Sequence, residues 1–256
     1  MSQKKKPSLF YKMCKRLLMW CYPKATFHGT ENIPDEPVIF VGNHTQMNSP
    51  MICEFYFPVP RFTWCAGAML HLKDVPAYAF QDFWSQKPKW THPFYRVLSY
   101  LIAPLSVFVF NNANTIAVYR DTRIISTFKN TVACLQEGNS VVIFPEHDVK
   151  RNHIIYEFEN KFIDVAKLYY KRTGKRVCFI PMYVAPKLRQ AHLGAPIRFD
   201  PEAPMEEERT RICDYLMEQV TQIACDLPEH TVIPYRNIPK KFYPSNKENS
   251  HEKTCG

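Results

Sequence analysis

The apolar positions of this chain fall into short blocks that change period. Val38, Ile39, Phe40 and Val41 form a continuous apolar run closed by Gly42, which predicts a strand buried on both faces. Ser49-Pro50 follows, and it predicts a helix start, because serine caps free amides and proline fits the first helical turn. Further on, residues 115–119 predict another strand. Asp121 is expected to cap a helix carrying Ile124, Ile125, Phe128, Val132 and Leu135 on one face, with Gly138 as its stop. A strand over residues 140–145, a helix over 159–173 ending at Gly174, and a strand over 176–184 come next, with a further strand expected over 193–199. Glu206 to Glu208 begin a helix along Ile212, Leu216, Val220, Ile223 and Leu227, where negative charge suits the helix dipole. Strands alternating with helices imply an α/β fold, a largely parallel central sheet flanked by helices.

The ends and one internal run differ from that rhythm. Lys4, Lys5 and Lys6 precede Leu9, Phe10, Met13, Leu17 and Trp20 at helical spacing, with Lys12, Lys15 and Arg16 mainly between them. This is a basic amphipathic helix, the composition of a segment lying in a membrane interface; charges break its apolar runs too often for a span or a signal peptide. The apolar run of residues 98–110 contains Pro104 and is read as a buried helix, too short to cross a bilayer. Residues 61–95 are rich in aromatics and proline, and either fill the core or line an apolar binding groove. The expected organisation is an interface helix over residues 1–24, an α/β domain over 25–240 and a polar disordered tail over 241–256.

A chain of 256 residues with 22% charged side chains is long enough to bury one substantial core. Its nine cysteines include no CxxC pair, which argues for reduced thiols in a cytoplasmic setting rather than a disulfide framework or a zinc site. The net charge of +9 suits anionic partners, but the basic residues are spread along the chain and no nucleic-acid recognition motif occurs, so no nucleic-acid partner is expected.

The candidate chemistry lies where strands run into polar turns. His44 follows the first buried strand, and Glu146, His147 and Asp148 follow Phe144-Pro145 at the end of another. In open α/β sheets the turns after strand ends line the crevice where ligands bind. Glu146, His147, Asp148 and His153 are also metal-ligand types, but they match no known ligand spacing, and no bound metal is expected.

Asn43-His44, Ile116 to Arg120, Phe144-Pro145-Glu146 and Phe179-Ile180-Pro181-Met182 together resemble, in order and spacing, the four blocks of the glycerolipid acyltransferases of the lysophosphatidate acyltransferase type. The resemblance covers roughly residues 25–200. It implies transfer of a fatty acyl group from an acyl-CoA or acyl-ACP thioester, a cosubstrate rather than a bound cofactor, to a glycerol-phosphate or lysophospholipid hydroxyl. His44 would be the general base, since an imidazole near neutral pKa can take the attacking hydroxyl's proton. Asn43, Phe144, Pro145 and Glu146 would line the acceptor site, and Arg120 would hold a phosphate with its fork of donors.

Two blocks depart from the family pattern. Ser49 stands where the family has the carboxylate that orients the histidine, and Glu146 is followed by His147 and Asp148 where Gly-Thr-Arg is expected. Asp148 is the candidate surrogate acid, Ser49 is a hydrogen-bond acceptor without charge or a simple helix cap, and Lys150 and Arg151 are the nearest replacements for the missing arginine. A non-catalytic membrane-peripheral protein that binds a lipid or thioester is the alternative reading. Expected partners are the membrane surface, a glycerolipid and an acyl carrier protein, at the inner, cytoplasmic face of the membrane.

Overall fold

The structure is a computed structural model, and it describes residues 7–147 and 152–248. In chain order the helices and strands are α1 (Leu9–Cys21), β1 (Thr26–His28), β2 (Ile39–Gly42), α2 (Asn48–Tyr56), β3 (Arg61–Ala66), α3 (Val75–Ala79), α4 (His92–Asn112), β4 (Thr115–Val118), α5 (Ile124–Gln136), β5 (Ser140–Ile143), α6 (Asp164–Thr173), β6 (Cys178–Ala185), β7 (Gln190–Leu193), β8 (Ile197–Arg198) and α7 (Met205–Asp226). They group into two compact units, one of Met1–Pro23 with Thr63–Thr127, the other of Lys24–Phe62 with Phe128–Gly256.

The larger unit is the expected α/β layer. Its strands run in the order β1-β7-β6-β2-β5, with β2 parallel to both β5 and β6. Every residue of these three central strands is buried, which is why they read as unbroken apolar runs. Gly42 ends β2 where a side chain has no room: a Cβ there would lie 2.5 Å from the Met182 carbonyl oxygen of β6. The expected strand over residues 193–199 is instead two short strands, β7 and β8, both antiparallel to β6, and β7 starts earlier than anticipated. A chain that turns straight back after β6, with Arg189 in a positive-φ turn, pairs antiparallel for want of a crossover helix. Helix α7 buries Ile212, Leu216, Val220 and Ala224, and α6 stops at Gly174 with φ +69°. Asp121 lies three residues before α5, and its carboxylate accepts from the Arg123 backbone N–H and guanidinium, closing a turn before Ile124.

The smaller unit holds α1, α3, α4 and the parallel pair β3 and β4, matched over Thr63–Ala66 and Thr115–Val118. Ser8 caps α1 by accepting the Tyr11 N–H. Helix α4 corrects the expectation for residues 98–110. It runs 21 residues from His92 through Pro104; its outer side is exposed, and its inner face has Ser99 and Ala103 buried with Ile102, Val107 and Phe110 partly buried. That face packs with Met69, Val75 and Ala79.

Candidate functional site

The site is built from the ends of β2 and β5. Past Gly42, the Asn43 side chain continues the ladder to β6: its Oδ1 accepts the Val184 N–H at 2.7 Å and its amide donates to the Val184 carbonyl at 3.0 Å. Asn43 is buried, so both halves of its amide satisfy main-chain groups. This fixes where the next residue, His44, leaves the sheet.

The turn after His44 is strained. Thr45 and Gln46 have φ of 42° and 56°, a region that disfavours side-chain-bearing and especially β-branched residues. Such conformations cost on the order of 1–3 kcal/mol each and persist only where the surroundings over-determine them. Here they do. The Thr45 Oγ1 accepts the Ser49 N–H at 2.9 Å and pairs with the Ser49 Oγ at 2.6 Å, and its carbonyl accepts from Asn48. Gln46 donates to the Tyr243 hydroxyl at 3.0 Å and towards the Pro234 and Arg236 carbonyls. Ser49, expected as the cap of α2, instead lies inside the helix, fully buried, and Thr45 satisfies its amide. Threonine takes the capping role because the positive-φ turn points its hydroxyl back along the helix.

Glu146, from the end of β5, reaches this turn. Its Oε1 accepts the His44 backbone N–H at 2.6 Å, and its Oε2 accepts the Tyr156 N–H at 3.0 Å. The loop after it returns to the strand end, where Glu146 and Phe158 form an antiparallel bridge and Glu159 donates to the Pro145 carbonyl at 2.9 Å. Asn152 holds the return by accepting the Ile154 and Ile155 N–H groups. Burial pushes the Glu146 carboxyl up to about 7, against the two backbone donors, which act to lower it.

The His44 ring stands edge-on to Phe144 at 5.4 Å and to Tyr235 at 5.6 Å. Burial pushes the imidazole down to about 4, so the neutral form prevails throughout the physiological range. Its Nδ1 is sealed from solvent and has no hydrogen-bond partner. A neutral imidazole with one nitrogen held in an apolar wall can accept a proton at the other, and no described side chain hydrogen-bonds the sealed nitrogen to orient the ring.

Asn43, His44, Phe144, Pro145 and Glu146 are thus gathered at one pair of strand ends, with Ser49 one helical turn beyond. Arg120 follows β4 in the smaller unit. Asp148, Lys150 and Arg151 lie outside the described residues. Tyr235, Tyr156 and Gln46 belong to the site and were not legible beforehand. Tyr235 sits in a proline-broken stretch without periodicity, and only its contact with His44 marks it. Among the described residues no three histidine, cysteine or carboxylate side chains converge as metal ligands.

No protein-family model matches this chain, and no curated protein matches it. Among solved structures it is similar to the 1-acyl-sn-glycerophosphate (LPA) acyltransferase PlsC from Thermotoga maritima, at 15% identity and a TM-score of 0.45, over 83% of this chain and 78% of that one. A likeness of that degree carries no argument about chemistry.

Proposed function

We propose that this chain is an acyltransferase that moves a fatty acyl group from an acyl-CoA or acyl-ACP thioester to a glycerol-phosphate or lysophospholipid hydroxyl, with His44 as the base. One observation carries the reading: the two motif-like turns, about a hundred residues apart in sequence, meet in the bond from the His44 N–H to Glu146. The motif resemblance requires that meeting, and nothing in the composition does. In the reaction the hydroxyl oxygen attacks the thioester carbonyl as its proton passes to His44, and the proton then leaves with the departing thiol. Glu146 acts through the backbone, holding His44 and the Tyr156 loop in place, while each of its oxygens keeps a lone pair for an acceptor hydroxyl. The resemblance assigns the acceptor phosphate to Arg120, with Lys150 and Arg151 as further cations and Asp148 as the surrogate acid. The basic helix α1 brings the protein to the inner face of the membrane.

A second reading is favoured by the unpartnered His44 Nδ1 and by Ser49 being engaged with Thr45: a membrane-peripheral protein that binds the lipid or thioester without turning it over. Thioester consumption by the purified protein with a panel of glycerolipid acceptors separates the two. The enzyme reading expects thiol release that depends on acceptor and is abolished by His44→Ala. Saturable acyl-CoA binding with no thiol release establishes the other.

A further inference from the structure

The smaller unit concentrates two properties that the sequence spreads over distant segments. Residues 1–23 and 63–127 carry twelve lysines and arginines against three acidic residues, and therefore the whole net charge of +9, while the rest of the chain balances to zero. Among the described residues, every exposed large hydrophobic side chain except Met47 and Phe242 belongs to this unit as well.

Helix α4 is the centre of that surface. Phe94, Val97, Leu101 and Leu105 recur along one stripe, with Leu101 71% and Leu105 63% exposed. The opposite face carries the buried Ser99 and Ala103, and Ala103 packs with Met69, Val75 and Ala79. The single charge within α4, Arg96, lies away from the stripe over the Phe80 ring, at 5.4 Å. Lys87 and Lys89 precede the helix, and Trp90 beside them is almost fully exposed. The start of α1 meets the far end of α4. The Ser8 N–H donates to the Asn112 Oδ1 at 2.9 Å, and Phe10 stands 5.5 Å from Phe108. Helix α1 adds its own exposed row of Leu9, Phe10, Met13, Leu17 and Trp20, with Lys12, Lys15 and Arg16 along its side.

We infer that α4, not α1 alone, seats the protein on anionic phospholipid bilayers, lying in the interface with the Phe94-Val97-Leu101-Leu105 stripe in the acyl region. Apolar side chains exposed along one face want hydrocarbon, and the excess of cations on the same unit wants a negative surface; an anionic leaflet supplies both. The 21-residue α4 is about 30 Å long, and Lys89–Asn112 is apolar enough in composition to cross a membrane. It lies flat instead because its other face is taken by its own unit. A spanning α4 would draw α3 and Asp82, whose carboxyl burial already pushes upward, into the bilayer.

The test uses the full chain, without substrate, so it is independent of acyl transfer. Vesicles of phosphatidylcholine alone and of phosphatidylcholine with phosphatidylglycerol are floated with wild type, Leu101→Gln/Leu105→Gln and a deletion of residues 1–21. Losing each leucine from hydrocarbon costs on the order of tenfold in partitioning, so the double variant should lose about a hundredfold on anionic vesicles. The deletion should retain salt-resistant binding through α4. Wild-type protein should leave the vesicles in alkaline carbonate, as a protein without a span does. Undiminished flotation of the double variant with an unchanged circular dichroism spectrum overturns the inference, as does carbonate-resistant wild type. So does a wild-type dimer that the double variant dissociates with no change in flotation, which would give the stripe to a second copy of this chain.

Discussion

The carboxylate of Glu146 bridges two main chains, accepting the His44 N–H at 2.6 Å with one oxygen and the Tyr156 N–H at 3.0 Å with the other. Replacing it by alanine leaves two donors in a buried site without partners, each costing about 1–3 kcal/mol. Glu146→Ala should therefore lower the urea midpoint by an amount equivalent to about 2–6 kcal/mol, with no change in the slope. Glu146→Gln keeps one accepting oxygen but turns an amide N–H against the other donor, and falls between. An unchanged midpoint for Glu146→Ala would mean the bridge contributes nothing to the fold.

The same carboxyl sets a pH dependence. Its folded pKa of about 7 lies above the ordinary 4.5, so the folded state holds the proton more tightly than the unfolded chain. The stability this contributes is complete below pH 4.5 and is lost as pH rises towards 7. His44 works in the opposite direction: depressed from 6.5 to about 4, it contributes fully above pH 6.5 and loses its contribution as pH falls towards 4. The stability of wild type relative to Glu146→Gln should then shrink as pH rises from 4.5 to 7, by at most about 1.4 kcal/mol per unit. Chemical denaturation of both proteins across that range measures it, and a gap that widens with pH contradicts the assignment.

Much of the larger unit was legible because β2, β5 and β6 are buried on both faces, so their sequences are unbroken apolar runs, and Gly138 and Gly174 take the positive φ that ends a helix. Helix α4 departs from its expected burial for a physical reason. Apolarity states what a segment avoids, and leaves open whether protein or lipid covers it. Pro104 also lies within a continuous helix whose ends are set elsewhere, by Pro93 in the first turn and Asn112 at the last. Ser49 looked like a cap because residue type was the only cue; the cap belongs to Thr45 through a backbone angle that sequence does not display. The C-terminal cover of the site was invisible because its bonds join positions as distant as Gln46 and Tyr243, 197 residues apart.

The cover is held to the site by the side chains of Gln46 and Tyr235. Tyr235 stands edge-on to His44, and Gln46 holds the segment through three acceptors, while Asn246 accepts the His230 N–H at 2.8 Å. Gln46→Ala should cost about 1–2 kcal/mol of stability and raise hydrogen exchange locally over residues 234–243. Tyr235→Ala should open the ring to solvent and speed the reaction of His44 with diethyl pyrocarbonate several-fold, read by peptide mass mapping. Equal modification rates in wild type and Tyr235→Ala would show that Tyr235 does not shield His44.

The last prediction concerns the carboxylate that the motif resemblance expects at position 49. Ser49 is fully buried, and its hydroxyl is paired with Thr45, so it leaves the His44 Nδ1 without a partner. An imidazole that takes a proton at its other nitrogen has no acid on Nδ1 to steady the cation, and burial pushes it down to about 4. Ser49→Asp places an acid at that spacing. A carboxylate that reaches the ring orients it and stabilises the cation, and in triads that lose this charge the effect on rate reaches about 10⁴-fold. The substitution should raise the His44 pKa, followed by NMR titration, and increase acceptor-dependent thioester turnover by at least about tenfold. It should also destabilise the fold by about 1–3 kcal/mol, because the Thr45 pair is displaced and a carboxylate is buried. The companion His44→Ala/Ser49→Asp variant should show no turnover, which ties any gain to the histidine. A His44 titration that does not move would show that the acid fails to reach the ring. A titration that rises while neither protein turns over any thioester would leave His44 a binding-site residue, and the chain a binding protein.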